Sequence, residues 1–563
     1  MSKQLTLVRR GKTGFALAAV LCLAAATIAW AWQPAPAPRH SNAGASQTSP
    51  AKTPDTGNDS AHITPEQAKQ LFALVDTLLK FSSDETGLPI KSSVKRRLTT
   101  RAAVEAYLEK KFNEDQGTKR LQRDEIVLKK FGLLDKDFEL RPFLLALLKE
   151  QIEAYYDSKT KTVNLLDWVS VDEQKPVMAH ELTHALQDQH SNLEKWDNQT
   201  PDSVSHTAAG DTEHLAKDEM DTARDAVAEG QATAVMMDYI LKPLGKSLIK
   251  DPEVVNIIKN HMTSSANSPV MARAPLVLSE SMLFPYQEGL SFEQDVWMDK
   301  GREAAFAGTL DRPPTSSWEI LNPRDYERRQ IPPIPLLPNI HPLVDKLYKP
   351  YDIGQLGELD VKIMTELFGG EDASRDLTPA WDGGLYWAGQ LRSARTPAEQ
   401  DSTKSLSIFY LSVWRNTDSA QVFARLYANS LGRKYSSLKP DLSAQASAPT
   451  ADGTTEQVFS TNEGPVVITT RGKMVFVSES FPLDLARKLT SLILDAQGSG
   501  AIQTAQSVSF PELLSRPAEP YESPVMRPLS ADLVDFFANC GVMKAAVDAG
   551  MQARRASLPG RAR

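Results

Sequence analysis

His180-Glu181-Leu182-Thr183-His184 lies inside VMAHELTHALQDQH, a run that reads as helix throughout. On an α-helix, residues four apart are offset by only about 40° and rise about 6 Å. Both imidazoles therefore leave one helix face, close enough to share a metal. Zinc takes imidazole nitrogen at about 2.0–2.1 Å in a tetrahedral shell. Glu181 lies one residue round, where it reaches a metal-bound water without ligating the metal, the placement of a hydrolytic base. Pro176 to Ala179 before the motif, and Ala185 and Leu186 after it, suit a buried helix. The competing reading is a helix whose two histidines are satisfied by hydrogen bonds alone.

A catalytic zinc keeps three protein ligands and one open position, so a third donor is required. His190 stands where a third histidine would close the longer H-E-x-x-H-x-x-G-x-x-H pattern. That pattern needs glycine at 187 to break the helix, and Gln187 is a good helix former. On a continuing helix His190 points away from the His180/His184 face. Glu229 is the stronger candidate. It sits in AVAEGQATAVMMDYI, an Ala-rich run that reads as a second buried helix. A carboxylate in so apolar a setting needs a partner, either a metal or the nearby Arg224.

HELTH at 180–184 and AEGQAT at 228–233 give the chain a resemblance to the gluzincin branch of the zincin metallopeptidases. More narrowly it resembles a set of bacterial secreted zincin-like proteins, through 150–167, 284–292 (FPYQEGLSF), 313–323 (PPTSSWEILNP) and 381–389 (WDGGLYWAG). The resemblance covers roughly 64–500. It implies that His180, His184 and Glu229 bind Zn²⁺, that Glu181 is the general base, and that the substrate is a peptide or protein. Gln187 argues against the metzincin branch.

The formal net charge of −8 argues against nucleic acid as a partner. Lys95, Arg96, Arg97 and Arg101 read as a solvated surface. The N-terminus is the second strong signal. Lys3, Arg9, Arg10 and Lys12 precede an uncharged run from Phe15 to Trp32, with Ala29-Trp30-Ala31 as a small-x-small site. That is a secretory pattern, either cleaved or kept as an inner-membrane anchor, and it places the body outside the cytoplasm. Leu21 argues against lipidation at Cys22. The other cysteine, Cys540, lies in an apolar run and reads as buried.

The expected fold class is α+β: a mainly helical zincin-like domain, then a smaller α+β domain with an antiparallel sheet. The expected parts are 1–32 (signal or anchor), 33–62 (a Pro/Ala/Ser-rich disordered tether), 63–345 (the metal domain), 355–500 (the α+β domain) and 501–563 (a tail with one short helix near 530–547). Thr64-Pro65-Glu66 predicts a helix start, and further helices are expected at 101–112, 119–131 and 141–153. Residues 152–166 read as a hairpin whose edge strand either binds extended peptide or is merely structural. Residues 191–220 read as a polar loop in which His206 and His214 are exposed. Helices are expected to flank Gly289 and Gly301. Strands are expected at 384–391, 407–414, 455–461, 465–470 and 473–480, with Arg471-Gly472 as the last turn, and helices at 417–431 and 482–494. Tyr239 and Tyr286 are candidate oxyanion donors, each weighed against plain packing. The expected activity is zinc-dependent peptide hydrolysis outside the cytoplasm. The alternatives are a non-catalytic zincin-fold binding or assembly factor of the cell envelope and a membrane-anchored scaffold with no metal.

Overall fold

The first helix, Pro65–Thr86, starts as its sequence dictates. Thr64 accepts from the Gln67 backbone, Gln67 returns the bond to Thr64, and Pro65 occupies the first turn, where no N–H is needed. Gly87, at φ 76°, ends it in the left-handed conformation that glycine adopts without strain. The computed structural model describes residues 62–497 apart from 115, 198, 201–203, 263–267 and 445–452. The proposed signal or anchor, almost all of the tether, the tail helix and both cysteines lie outside the described residues. Among those described, no helix is long and apolar enough to cross a membrane.

The fold is mixed α and β, mostly helical, with an antiparallel sheet in its later part. Helices Arg101–Glu114, Gln116–Phe131 and Leu140–Gln151 precede a hairpin, Ala154–Asp157 paired antiparallel with Thr162–Leu166. The hairpin belongs to a three-stranded sheet, because Lys95–Thr99 runs parallel to Thr162–Leu166 on its other side. The sequence pattern hid that strand. Its first three residues are exposed Lys and Arg, which read as surface and also blunt an edge against unwanted pairing.

Three helices then build the middle of the molecule. Val171–Ser191 carries HELTH, Met220–Leu241 carries Glu229, and Leu276–Lys300 packs across the second. Gly289 lies inside this last helix rather than between two helices, and its reason is proximity. A Cβ on Gly289 would stand 2.1 Å from the Ala226 carbonyl oxygen, and one on Gly230 would stand 2.3 Å from the Gly289 carbonyl carbon. The two backbones touch at a glycine pair. The stretch 191–220 is also not the expected open loop: it holds helices Leu193–Asp197 and Ala208–Lys217. Some of its polar residues, Asp211 and Asp218 among them, are buried with distant partners. Asp211 meets His341 at 3.0 Å, and Asp218 accepts from the Gln355 backbone.

The seven-stranded sheet runs in the order Tyr348–Gln355, Trp381–Leu391, Leu406–Trp414, Met474–Glu479, Gly464–Arg471, Thr455–Thr461, Leu438–Pro440, every pair antiparallel. Strand periodicity explains its two apolar faces. Ile408 and Tyr410 join the core shared with helices Glu358–Leu377 and Thr417–Lys434, while Phe409 and Leu411 face helix Leu483–Gln497. The last hairpin turns on Gly472 and Lys473, one residue later than the sequence suggests, because Arg471 still pairs with Met474. Gly472, at φ 57°, supplies the positive angle such a two-residue turn requires.

Candidate metal centre

The HELTH helix is capped at Ser170 by a reciprocal bond with Glu173 and continues unbroken to Ser191. Continuity aims His180 and His184 the same way, one turn apart. The Glu229 helix packs against that face and brings its carboxylate between them. Glu229 Oε2 is 2.9 Å from His180 Nε2, Glu229 Oε1 is 3.5 Å from His184 Nε2, and the two Nε2 atoms are 2.9 Å apart. Two donors held at about 2.05 Å by one tetrahedral ion stand about 3.3 Å apart. The three separations bracket that value, so a single ion fits the donor set. Among the described residues these three form the cluster of His, Cys, Asp or Glu able to hold a metal.

The electrostatics agree with the geometry. Burial pushes His180 down to about 4, so it stays neutral and keeps a lone pair. Burial also opposes charge on His184, but the Glu229 carboxylate outweighs it, aided by Glu181 and Gln187, and lifts it to about 9. Glu229 resists burial through the charge of His184 and hydrogen bonds from both rings, and falls to about 2. Without an ion the site is thus a His184–Glu229 ion pair at neutral pH. Burial raises Glu181 to about 7, a value at which a carboxyl gives and takes protons near neutrality.

Glu181 does not touch the donor set directly. The Tyr156 backbone, on the hairpin's edge strand Ala154–Asp157, acts against the rise of its pKa as the smallest of the influences on Glu181. The Tyr156 hydroxyl donates to Asp188 Oδ2 at 2.8 Å, two turns along the HELTH helix from Glu181. There the edge strand borders a cavity of about 260 Å³, lined by Lys91, Ser92, Tyr156, Lys161, Asp188 and Gln189.

The remaining candidates separate cleanly. Tyr286, from the crossing helix, lies over His180 with ring centroids 6.3 Å apart. Its buried hydroxyl feels the charges of Glu229, Glu181 and Asp225, which with burial push it well above the ordinary phenol range. Tyr239 packs edge-on against Phe81 instead. His190 pairs with Asp311 at 2.9 Å and takes no part in the cluster. Arg224 donates to the Trp196 carbonyl and is not the partner of Glu229. His206 is exposed, but His214, expected at the surface, is buried 3.3 Å from Asp218 because the presumed loop is a packed helix.

Two residues at the centre escaped the sequence reading. Gln187 Oε1 accepts from His184 Nδ1 at 2.8 Å, and Gln187 Nε2 donates to the Ala228 carbonyl and to Gln231 Oε1, both at 2.9 Å. Gln231 Nε2 in turn donates to the Ala305 and Phe306 carbonyls and to Thr309 Oγ1. The signal was available: two amides in otherwise apolar helices, which burial makes costly unless they are fully bonded. No family model, curated protein or solved structure matches the chain.

Proposed function

We propose that this chain is a zinc-dependent metallopeptidase of the zincin type, acting outside the cytoplasm. The observation that supports it best is the convergence of His180, His184 and Glu229 on one point, with Glu181 on the same helix outside that cluster. A pair of imidazoles and one carboxylate is the donor set of a hydrolytic zinc rather than of a purely structural one, which closes its shell with four protein ligands. Zinc bound there would supply Lewis acidity, polarising a carbonyl and acidifying a water. Glu181 would take a proton at a carboxylate oxygen and return it to the leaving amine. Tyr286, kept protonated by its surroundings, would donate to the developing oxyanion. A peptide would lie along the free edge of Ala154–Asp157, in main-chain register and so with little demand on sequence.

A second reading keeps the metal and drops the hydrolysis: a zincin-fold binding factor of the cell envelope. Burial favours it. The Glu181 residue is 2 % exposed, and the most open ligand side chain, His184, is 11 % exposed. One substitution separates the two. In zinc-loaded protein, Glu181→Gln should keep its metal and lose peptide hydrolysis by roughly 10²–10⁴-fold. Undiminished turnover would remove Glu181 from the mechanism, and a zinc-loaded wild type inert towards every protein substrate tried would favour the binding factor.

A further inference from the structure

We propose that Gln187 and Gln231 are positioning residues that lock the tautomer of His184 for metal binding, with the polarity set by backbone carbonyls 70 or more residues away. This rests on the metal-centre reading above. In the π-helical segment Ala304–Gly308, the Ala305 and Phe306 carbonyls that face Gln231 can only accept. The end of Gln231 that faces them must therefore be its NH₂. Its oxygen then points at Gln187, at 2.9 Å, and demands a donor. The Ala228 carbonyl makes the same demand on the same atom. Gln187 thus has its NH₂ fixed on that side and its oxygen fixed on the other, 2.8 Å from His184 Nδ1. An amide oxygen accepts only, so Nδ1 carries the proton, whether or not Nε2 is protonated as well. With Nδ1 protonated, Nε2 is the ring nitrogen that would bind an ion, and it faces Glu229 and His180. The accepting carbonyls thus set the direction of both amides and the tautomer of the ring.

His180 supplies the contrast. Its Nδ1 is buried and, among the described residues, has no hydrogen-bond partner. One imidazole of the pair is preset for metal by a chain through Gln187 and Gln231; the other is held by helix packing and by its contact with Glu229. The chain also answers why position 187 is glutamine. It is the residue one turn on from His184 whose side chain reaches back to Nδ1 and across to the second helix at once. Outer partners of this kind typically change metal affinity 10–100-fold.

The test measures the zinc dissociation constant of the full chain by chelator competition, beside the thermal midpoint of the metal-free protein. Gln187→Met should weaken zinc by about 10–100-fold. Gln187→Glu keeps an acceptor for Nδ1 but loses the donor that the Ala228 and Gln231 oxygens require, so it should bind zinc more tightly than Gln187→Met while lowering the thermal midpoint of the metal-free protein. Gln231→Met, one link further out, should cost part of the Gln187→Met loss and add little to it in the double variant. Wild-type affinity in a folded Gln187→Met protein overturns the positioning role, as does a Gln187→Glu loss equal to that of Gln187→Met. Should Gln187→Met not fold, unchanged affinity in Gln231→Met overturns it equally. A wild-type chain that binds no zinc removes the metal centre and this role together.

Discussion

Around the seven-stranded sheet, buried charges are answered in pairs. Lys434 Nζ meets Glu479 at 2.6 Å, Tyr427 donates to the same carboxylate, and Tyr435 closes its other oxygen. Lys130 joins Glu463 at 3.0 Å and the Ser480 hydroxyl at 2.6 Å. At the crossing of the HELTH and Glu229 helices the arrangement differs in kind. Two imidazoles and a carboxylate face one point, two ring nitrogens stand 2.9 Å apart, and among the described residues the buried His180 Nδ1 has no hydrogen-bond partner. Both places bury charge at considerable desolvation cost. The first settles that cost within the protein and ties the N-terminal helices to the sheet. The second meets it only in part, through the contacts of Glu229 with the two imidazoles. Burial of polar groups is therefore not a sign of function by itself; the sign is burial of donors of one kind aimed at a shared point.

Substitutions can sharpen that contrast. The largest effect on stability is expected at the sheet. Lys434→Met strands the Glu479 carboxylate and should destabilise the protein by about 3–5 kcal/mol in denaturant unfolding, while the folded fraction binds zinc as before. Altered zinc affinity there would mean that the two networks are coupled. Gly289→Ala should act the other way round. Its Cβ meets the Ala226 carbonyl, so the helices must part, at roughly 1–3 kcal/mol, and zinc should weaken because Glu229 is carried with its helix. Unchanged affinity would detach the ligand geometry from the glycine crossing.

The smallest effect is a pH dependence further along the Glu229 helix. Burial lifts Asp238 to about 6, against a weaker opposing bond from the Leu248 N–H. A raised folded pKa means that the folded state holds its proton more tightly than the unfolded chain does. Stability is then greatest below about pH 4 for this group and is lost as pH rises through about 6. Asp238→Asn keeps the acceptor for Leu248 and should flatten that slope, gaining on the order of 1–2 kcal/mol at pH 7. A wild-type midpoint that does not fall relative to Asp238→Asn between pH 4 and 6 would contradict it.

Much of this was legible in the chain because it is local. The i, i+4 spacing of His180 and His184, the Thr64 cap and the alternating runs of the sheet each depend on neighbours within a few residues, and each element lies within a few residues of its expected place. What escaped depends on partners far away in sequence. Lys95–Thr99 is a strand because Thr162–Leu166 lies beside it, not because Lys-Arg-Arg favours pleating. Residues 208–217 are a packed helix because Asp211 finds His341, 130 residues on. Gln187 was read only as a good helix former, and its bond to His184 requires Gln231 and the π-helical segment Ala304–Gly308 to be in place. The polar residue with a distant partner is the blind spot of local pattern.

The most direct measurement is anomalous scattering at the zinc edge from crystals of the zinc-loaded chain. The account predicts one strong peak about 2.0–2.2 Å from His180 Nε2, His184 Nε2 and a Glu229 oxygen, with Glu181 outside the shell. Zinc-loaded crystals with no peak at that point, or with zinc held by other residues, would contradict it.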